Sequence, residues 1–165
     1  MLLEPLLKGT AGVARAALRA MAKLNPSACR TTLFDAMIDE RPGVRREALS
    51  LVGHRLDETD AQSLEARWPH ATLVARRTLA AAMLRLPPWP ALAALLTAAA
   101  GDPDREQGAA VQALAAWRPE HMAYYAPLPP AEDTRALIEQ RLSSASPALS
   151  REQRDRIRAA LNIRH

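Results

Sequence analysis

A chain of 165 residues can bury one sizeable core, and 48% apolar but only 4% aromatic content leaves that core to Ala and Leu. Six glycines and few β-branched runs exclude a strand-rich domain, so an all-α fold is expected. The net charge of +4, carried by twenty Arg and two Lys, permits an acidic partner without requiring one.

Taken in order, Leu3 and Leu7 begin a short first helix, and Val13, Ala17, Leu18 and Met21 line one face of the next. After Asn25-Pro26, Ser27 is expected to cap a helix carrying Phe34 and Ile38. Asp39–Leu51 reads as a turn and the helix after it, with Pro42 in a first turn. Thr59 and Gln62 form an expected capping box before Leu64 and Trp68. Pro87-Pro88-Trp89-Pro90 is read as a chain break, followed by a helix over Ala91–Ala100 that Gly101 closes in a left-handed cap. Asp102 and Pro103 would open the next helix. Beyond Trp117 the periodicity decays into an aromatic, proline-broken loop through Pro130. Two further helices are expected over Ala131–Leu142 and Arg151–Leu161, the second opened by Ser150 with Gln153.

These elements repeat. Val13, Val44 and Val74 stand 31 and 30 residues apart, with Glu106 as a fourth mark 32 further on. Four, five and eight residues after each mark the side chains are mostly apolar, as they are six and ten before it. Each unit is thus a pair of amphipathic helices that can bury its stripes only by stacking on its neighbours. The expected architecture is about four antiparallel helix pairs over residues 1–118. An irregular loop and C-terminal capping helices over 119–165 complete the same domain.

Asp39-Glu-Arg-Pro-Gly-Val-Arg-Arg-Glu-Ala-Leu resembles the inter-helix turn and second helix of HEAT repeats, of the short bacterial kind. Asp39, Val44 and Arg45 match the family's Asp and Val-Arg pair. The resemblance implies a right-handed α-solenoid with a concave, partner-binding face, and an Arg45 that bonds back to Asp39 or its neighbour. It covers roughly residues 2–117 and carries over no catalytic residue. Units one and three depart from it, with Lys8 and Ala14, then Pro69 and Ala75, at the Asp and Arg positions.

Two sets of residues stand out as candidate contacts. Arg15, Arg46 and Arg76, with Arg77 alongside, would form a basic row across successive second helices, suited to carboxylates or phosphates. The competing reading is a set of internal ion pairs and solvated surface charge. Trp89, Tyr124 and Tyr125 lie outside the repeat ladder, where aromatics often anchor interfaces. Their alternative role, shared by Trp117, is to plug the end of the stack.

Nothing points to catalysis or to a cofactor or metal. The four His are scattered, Cys29 has no neighbouring His, no glycine-rich phosphate loop occurs, and Asp57–Asp60 suits helix capping. One Cys excludes an intrachain disulfide and fits a reducing, cytoplasmic setting. No leader is visible in Met1–Lys8, and the ten-residue apolar run Ala91–Ala100 is too short to span a membrane. The expected function is a non-enzymatic protein-binding scaffold or inhibitor, its partner an acidic protein. A nucleic-acid-binding protein, including a DNA-alkylation-repair-like glycosylase, is the second reading. A lyase-like chromophore-handling protein, by fold analogy alone, is the third. By halves of the chain, the charge excess lies in residues 1–91, with thirteen basic against nine acidic side chains.

Overall fold

A computed structural model describes residues 3–53, 56–102, 108–118 and 129–161, and every regular element among them is helical. A 3-10 turn, Glu4–Lys8, leads into α1 (Ala11–Leu24), α2 (Pro26–Ala36), α3 (Pro42–Val52), α4 (Glu58–Arg67) and α5 (Leu73–Met83). There follow α6 (Pro88–Ala100), α7 (Ala109–Ala116), α8 (Glu132–Ala145) and α9 (Arg151–Leu161).

The packing follows parity. α1 lies on α3, α3 on α5 and α5 on α7, while α2 lies on α4, α4 on α6 and α6 on α8. Consecutive helices also pack together, α1 with α2, α2 with α3, α4 with α5, α5 with α6 and α6 with α7. The result is two layers of helices around one continuous core. α8 and α9 extend these layers. α8 packs on α6, and α9 reaches α7 through Gln153 Nε2 to Val111 O (3.4 Å) and Arg156 Nη2 to Leu114 O (2.8 Å).

Local chemistry starts these helices, and it corrects several expected caps. Asn25 caps α2 through its side-chain oxygen on Ala28 N (3.0 Å), with Pro26 at the first helical position; Ser27 therefore falls inside the first turn. α4 is opened by Asp57, which accepts from Thr59 N (2.9 Å), while Asp60 accepts from Asp57 N (2.8 Å). The box is thus made by two carboxylates, two residues ahead of the expected Thr59–Gln62 pair. Helix α6 begins at Pro88, because prolines at the first and third positions remove only amides that have no helical partner. Trp89 accordingly sits in a helix rather than a loop. Gly101 has φ −95° and makes no left-handed cap; among the described residues a positive φ occurs at Gly53, φ 63° and ψ −143°, after α3.

Most repeated apolar positions are core. Ala17, Ala48, Ala110, Leu18, Leu79, Met21, Leu114, Phe34, Leu64 and Leu96 are all buried. The marks themselves behave differently: Val44 is buried, whereas Val13 and Val74 are 42% and 53% exposed. The N-caps explain Val74, though not Val13, which holds the same helix position as Val44. Thr10, Arg41 and Thr72 open α1, α3 and α5 and stand 31 residues apart, so the register between units two and three slips by one from the expected spacing. Position by position, Val44 then corresponds to Ala75, which is fully buried.

This register is testable by denaturation. Leu79→Ala, at a site with no exposure, should cost about 2–5 kcal/mol in urea unfolding. Val74→Ser should stay within about 0.5 kcal/mol of the parent.

Candidate functional site

The corrected register redraws the basic row. Arg15, Arg46 and Arg77 each occupy the fifth position of their helix, on the adjacent helices α1, α3 and α5. Arg76 instead corresponds to Arg45, and both of these turn inward. Arg45 donates to the carbonyls of Asp39 (2.6 Å) and Glu40 (2.8 Å), while the Asp39 carboxylate is taken by Arg41. Arg76 meets the fully buried Asp102 carboxylate at 3.2 Å and lies over the Trp68 ring, 5.6 Å from its centroid. Among the expected contact residues, Arg76 is therefore part of the core wall.

The other three differ in how far they are satisfied. Arg15 Nε reaches Glu47 Oε2 at 3.2 Å, and Arg19 Nε reaches Glu47 Oε1 at 2.9 Å. Glu47 thus lies between two guanidiniums, which hold its carboxyl below its ordinary value of 4.5; Arg19 contributes most, ahead of Arg15. One carboxylate shared by two cations leaves a net positive charge there. Arg46 and Arg77 are exposed, and neither makes an ion pair among the described residues.

Charge is sorted by layer. α1, α3, α5 and α7 hold seven basic residues (Arg15, Arg19, Lys23, Arg45, Arg46, Arg76 and Arg77) against the single acid Glu47. α2, α4, α6 and α8 hold four, Arg30, Arg67, Arg135 and Arg141, against seven acids. Counting by halves of the chain blurs this, because the two layers alternate along it. The even layer's arginines are spent internally, while its acids outnumber them and Glu58, Glu132, Asp133 and Glu139 are exposed. Arg30 bridges Asp57 and Asp60, Arg67 bridges Asp35, and Arg141 on α8 reaches back to Glu65 on α4 at 2.7 Å.

The aromatic candidates divide between structure and silence. Trp117 is fully buried, donates from Nε1 to Pro88 O (3.2 Å), and lies 6.1 Å from the half-buried Trp89 ring. Trp89 and Trp117 therefore lock the start of α6 to the end of α7, which is the plugging role. Tyr124 and Tyr125, like His54, His121 and His165, lie outside the described residues. Cys29 is buried, and desolvation pushes its thiol up.

Other cavities add little chemistry. A groove of about 670 Å³ between α7 and the start of α9 is lined by Val111, Ala115, Arg118, Ser150, Gln153 and Arg156. Its guanidiniums are turned to helix-end carbonyls, Arg118 to Ala115 O and Trp117 O, Arg156 to Leu114 O. Among the described residues no three His, Cys, Asp or Glu are placed to hold a metal ion, and no helix is long and apolar enough to cross a membrane. The chain matches no family model, no curated protein and no solved structure.

Two measurements check this assignment of roles. Asp102→Asn should destabilise the fold by about 3–5 kcal/mol by stripping a part-buried guanidinium of its carboxylate, whereas Arg46→Ala and Arg77→Ala should change it little. The lowered carboxyls of Glu47 and Asp39 contribute stability that is present above their unfolded values and lost as pH falls through the folded ones. Melting followed downward from pH 5 should therefore show a decline, and Glu47→Gln should flatten part of it.

Proposed function

We propose that this chain is a HEAT-like α-solenoid, a right-handed stack of helix pairs, that works as a non-enzymatic protein-binding module. Its partner surface is the outer, concave face of the odd layer. Same-parity packing and the even 31-residue spacing of Thr10, Arg41 and Thr72 support the repeat reading. The observation that carries the functional reading is the sorting of charge. One layer carries seven cations against one acid, with Arg46 and Arg77 exposed on neighbouring helices, while the opposite layer pairs Arg30, Arg67 and Arg141 internally and is left with an excess of acids. A fold with no use for that asymmetry would intersperse the two signs.

Nucleic acid is the second reading, since guanidiniums meet phosphates as readily as carboxylates. It is the weaker one. Single-strand binders stack bases on aromatic side chains, and of the described aromatics Phe34, Trp68 and Trp117 are buried while Trp89 is half-buried against Trp117. A duplex-binding face draws on many free cations, and here Arg45 and Arg76 are already engaged. The single buried Cys29 supports a reducing compartment.

Site-specific photocrosslinking tests the proposal. A photoreactive residue at Ser50, one turn beyond Arg46, should give a discrete protein adduct in cells that make this chain. The adduct should vanish when Arg46 and Arg77 are both changed to Glu. The same residue at Gln140, exposed on α8, should give none. Adducts only from Gln140, or only with nucleic acid, would overturn the assignment.

A further inference from the structure

Resting on that reading of the odd layer, we propose that its occupant is an acidic segment of another protein that also carries apolar side chains. Its carboxylates would be spaced to meet Arg15, Arg46 and Arg77.

Three features of the surface specify this chemistry. The first is spacing. Equivalent positions on packed helices lie about 8–10 Å apart, so the three arginines form a row running across the helix axes. A segment in the polyproline II conformation, with three residues per turn and a rise of about 3.1 Å each, presents a carboxylate on one side at that interval from every third residue. A helix, at about 1.5 Å per residue, does so from every seventh.

The second feature is the surface beside the row. One turn toward the helix N-termini lie Gly12 on α1, Gly43 on α3, and Leu73 with Val74 on α5. Leu73 and Val74 are consecutive and 50% and 53% exposed, the largest adjacent apolar pair left open among the described residues. A purely anionic ligand would leave them in water, whereas a segment with Leu or Val between its acids would cover them. A phosphodiester backbone offers no such apolar match.

The third feature is preorganisation. The Arg15 side chain lies over α3 beside Gly43, where even an added Cβ would meet Arg15 Cδ only at an ordinary contact distance of 3.5 Å. Glu47 holds the guanidinium from the other side. Arg15 is thus fixed at one end of the row without its charge being cancelled, since Arg19 shares the same carboxylate. Fixing a side chain before binding lowers the entropy lost on association.

Fluorescence anisotropy with synthetic peptides tests the inference. The panel holds peptides with Glu at every third or every seventh position and Leu between, their shuffled counterparts, polyglutamate, and a short DNA duplex. A spaced peptide should bind more tightly than its shuffled form and than polyglutamate, and should weaken as salt rises. Arg46→Glu with Arg77→Glu should weaken it about tenfold or more. Leu73→Ser with Val74→Ser should weaken it several-fold at an unchanged melting temperature, and Gln140→Glu, exposed on α8, should not. Equal affinity for shuffled peptide or polyglutamate, tighter binding of the duplex, or indifference to the odd-layer changes would each overturn the proposal. An odd-layer protein crosslink together with no preference for spaced acids sinks this inference and leaves the module reading intact. Absence of both sinks both.

Discussion

A helix end leaves its last four carbonyls without partners, and in this protein arginine side chains supply them. Arg85, just past α5, donates to Leu49 O (2.5 Å) and Gly53 O (3.3 Å) at the end of α3. Arg156 does the same for α7, Arg135 for Leu161 at the end of α9, and Arg154 for the 3-10 turn Ser146–Ala148 and Leu149. Arg41 reaches the Leu7 and Gly9 carbonyls while Asp39 steadies it. A guanidinium has several donors in a rigid fork and a stem long enough to cross between helices, which a lysine ammonium lacks. The chain's twenty Arg against two Lys follow from this demand for joints. A positive charge at a helix C-terminus also meets the macrodipole favourably.

That use of arginine changes what basic composition means. Most guanidiniums are inward-facing structural parts, so a high count of them says little about ligands. Beside the exposed Lys8, Lys23, Arg151 and Arg158, what remains after subtraction is a cluster: Arg46 and Arg77 in the open, with Arg15 only half satisfied. These lie on one layer, beside the exposed Leu73 and Val74. The surface that binding would use is therefore defined by what the fold has left over.

The helical class and much of the core were legible because burial leaves a periodic trace: Leu18, Leu114, Phe34 and Leu64 are buried where helical spacing puts apolar side chains. The register was less so. Valine in a first turn can face solvent, and Val74 imitated Val44 one position out of step. Thr10 and Thr72, two identical caps 62 residues apart, hold the correct spacing and were the available signal. The proline run before Leu92 read as a break because prolines stop helices, yet at the first and third positions they start one. Of the site, Arg15, Arg46 and Arg77 were visible as a cluster. Their separation from Arg76 depends on Asp102 and Trp68, which meet it from other elements and leave no local pattern.

Helix α6 has no charged residue, and Ala91, Leu92, Ala93, Ala94, Leu95, Leu96, Ala98 and Ala99 are all buried. Its cover comes from α4, α7 and above all α8, which begins at Glu132, some thirty residues after α6 ends. On a ribosome making roughly 5–20 residues per second, α6 is therefore complete seconds before the helix that shields it. During that interval the nascent chain presents an uncharged, Ala- and Leu-lined surface to whatever is nearby. The risky moment in this molecule's life is thus set by the order of synthesis, and α8 acts as the element that ends it.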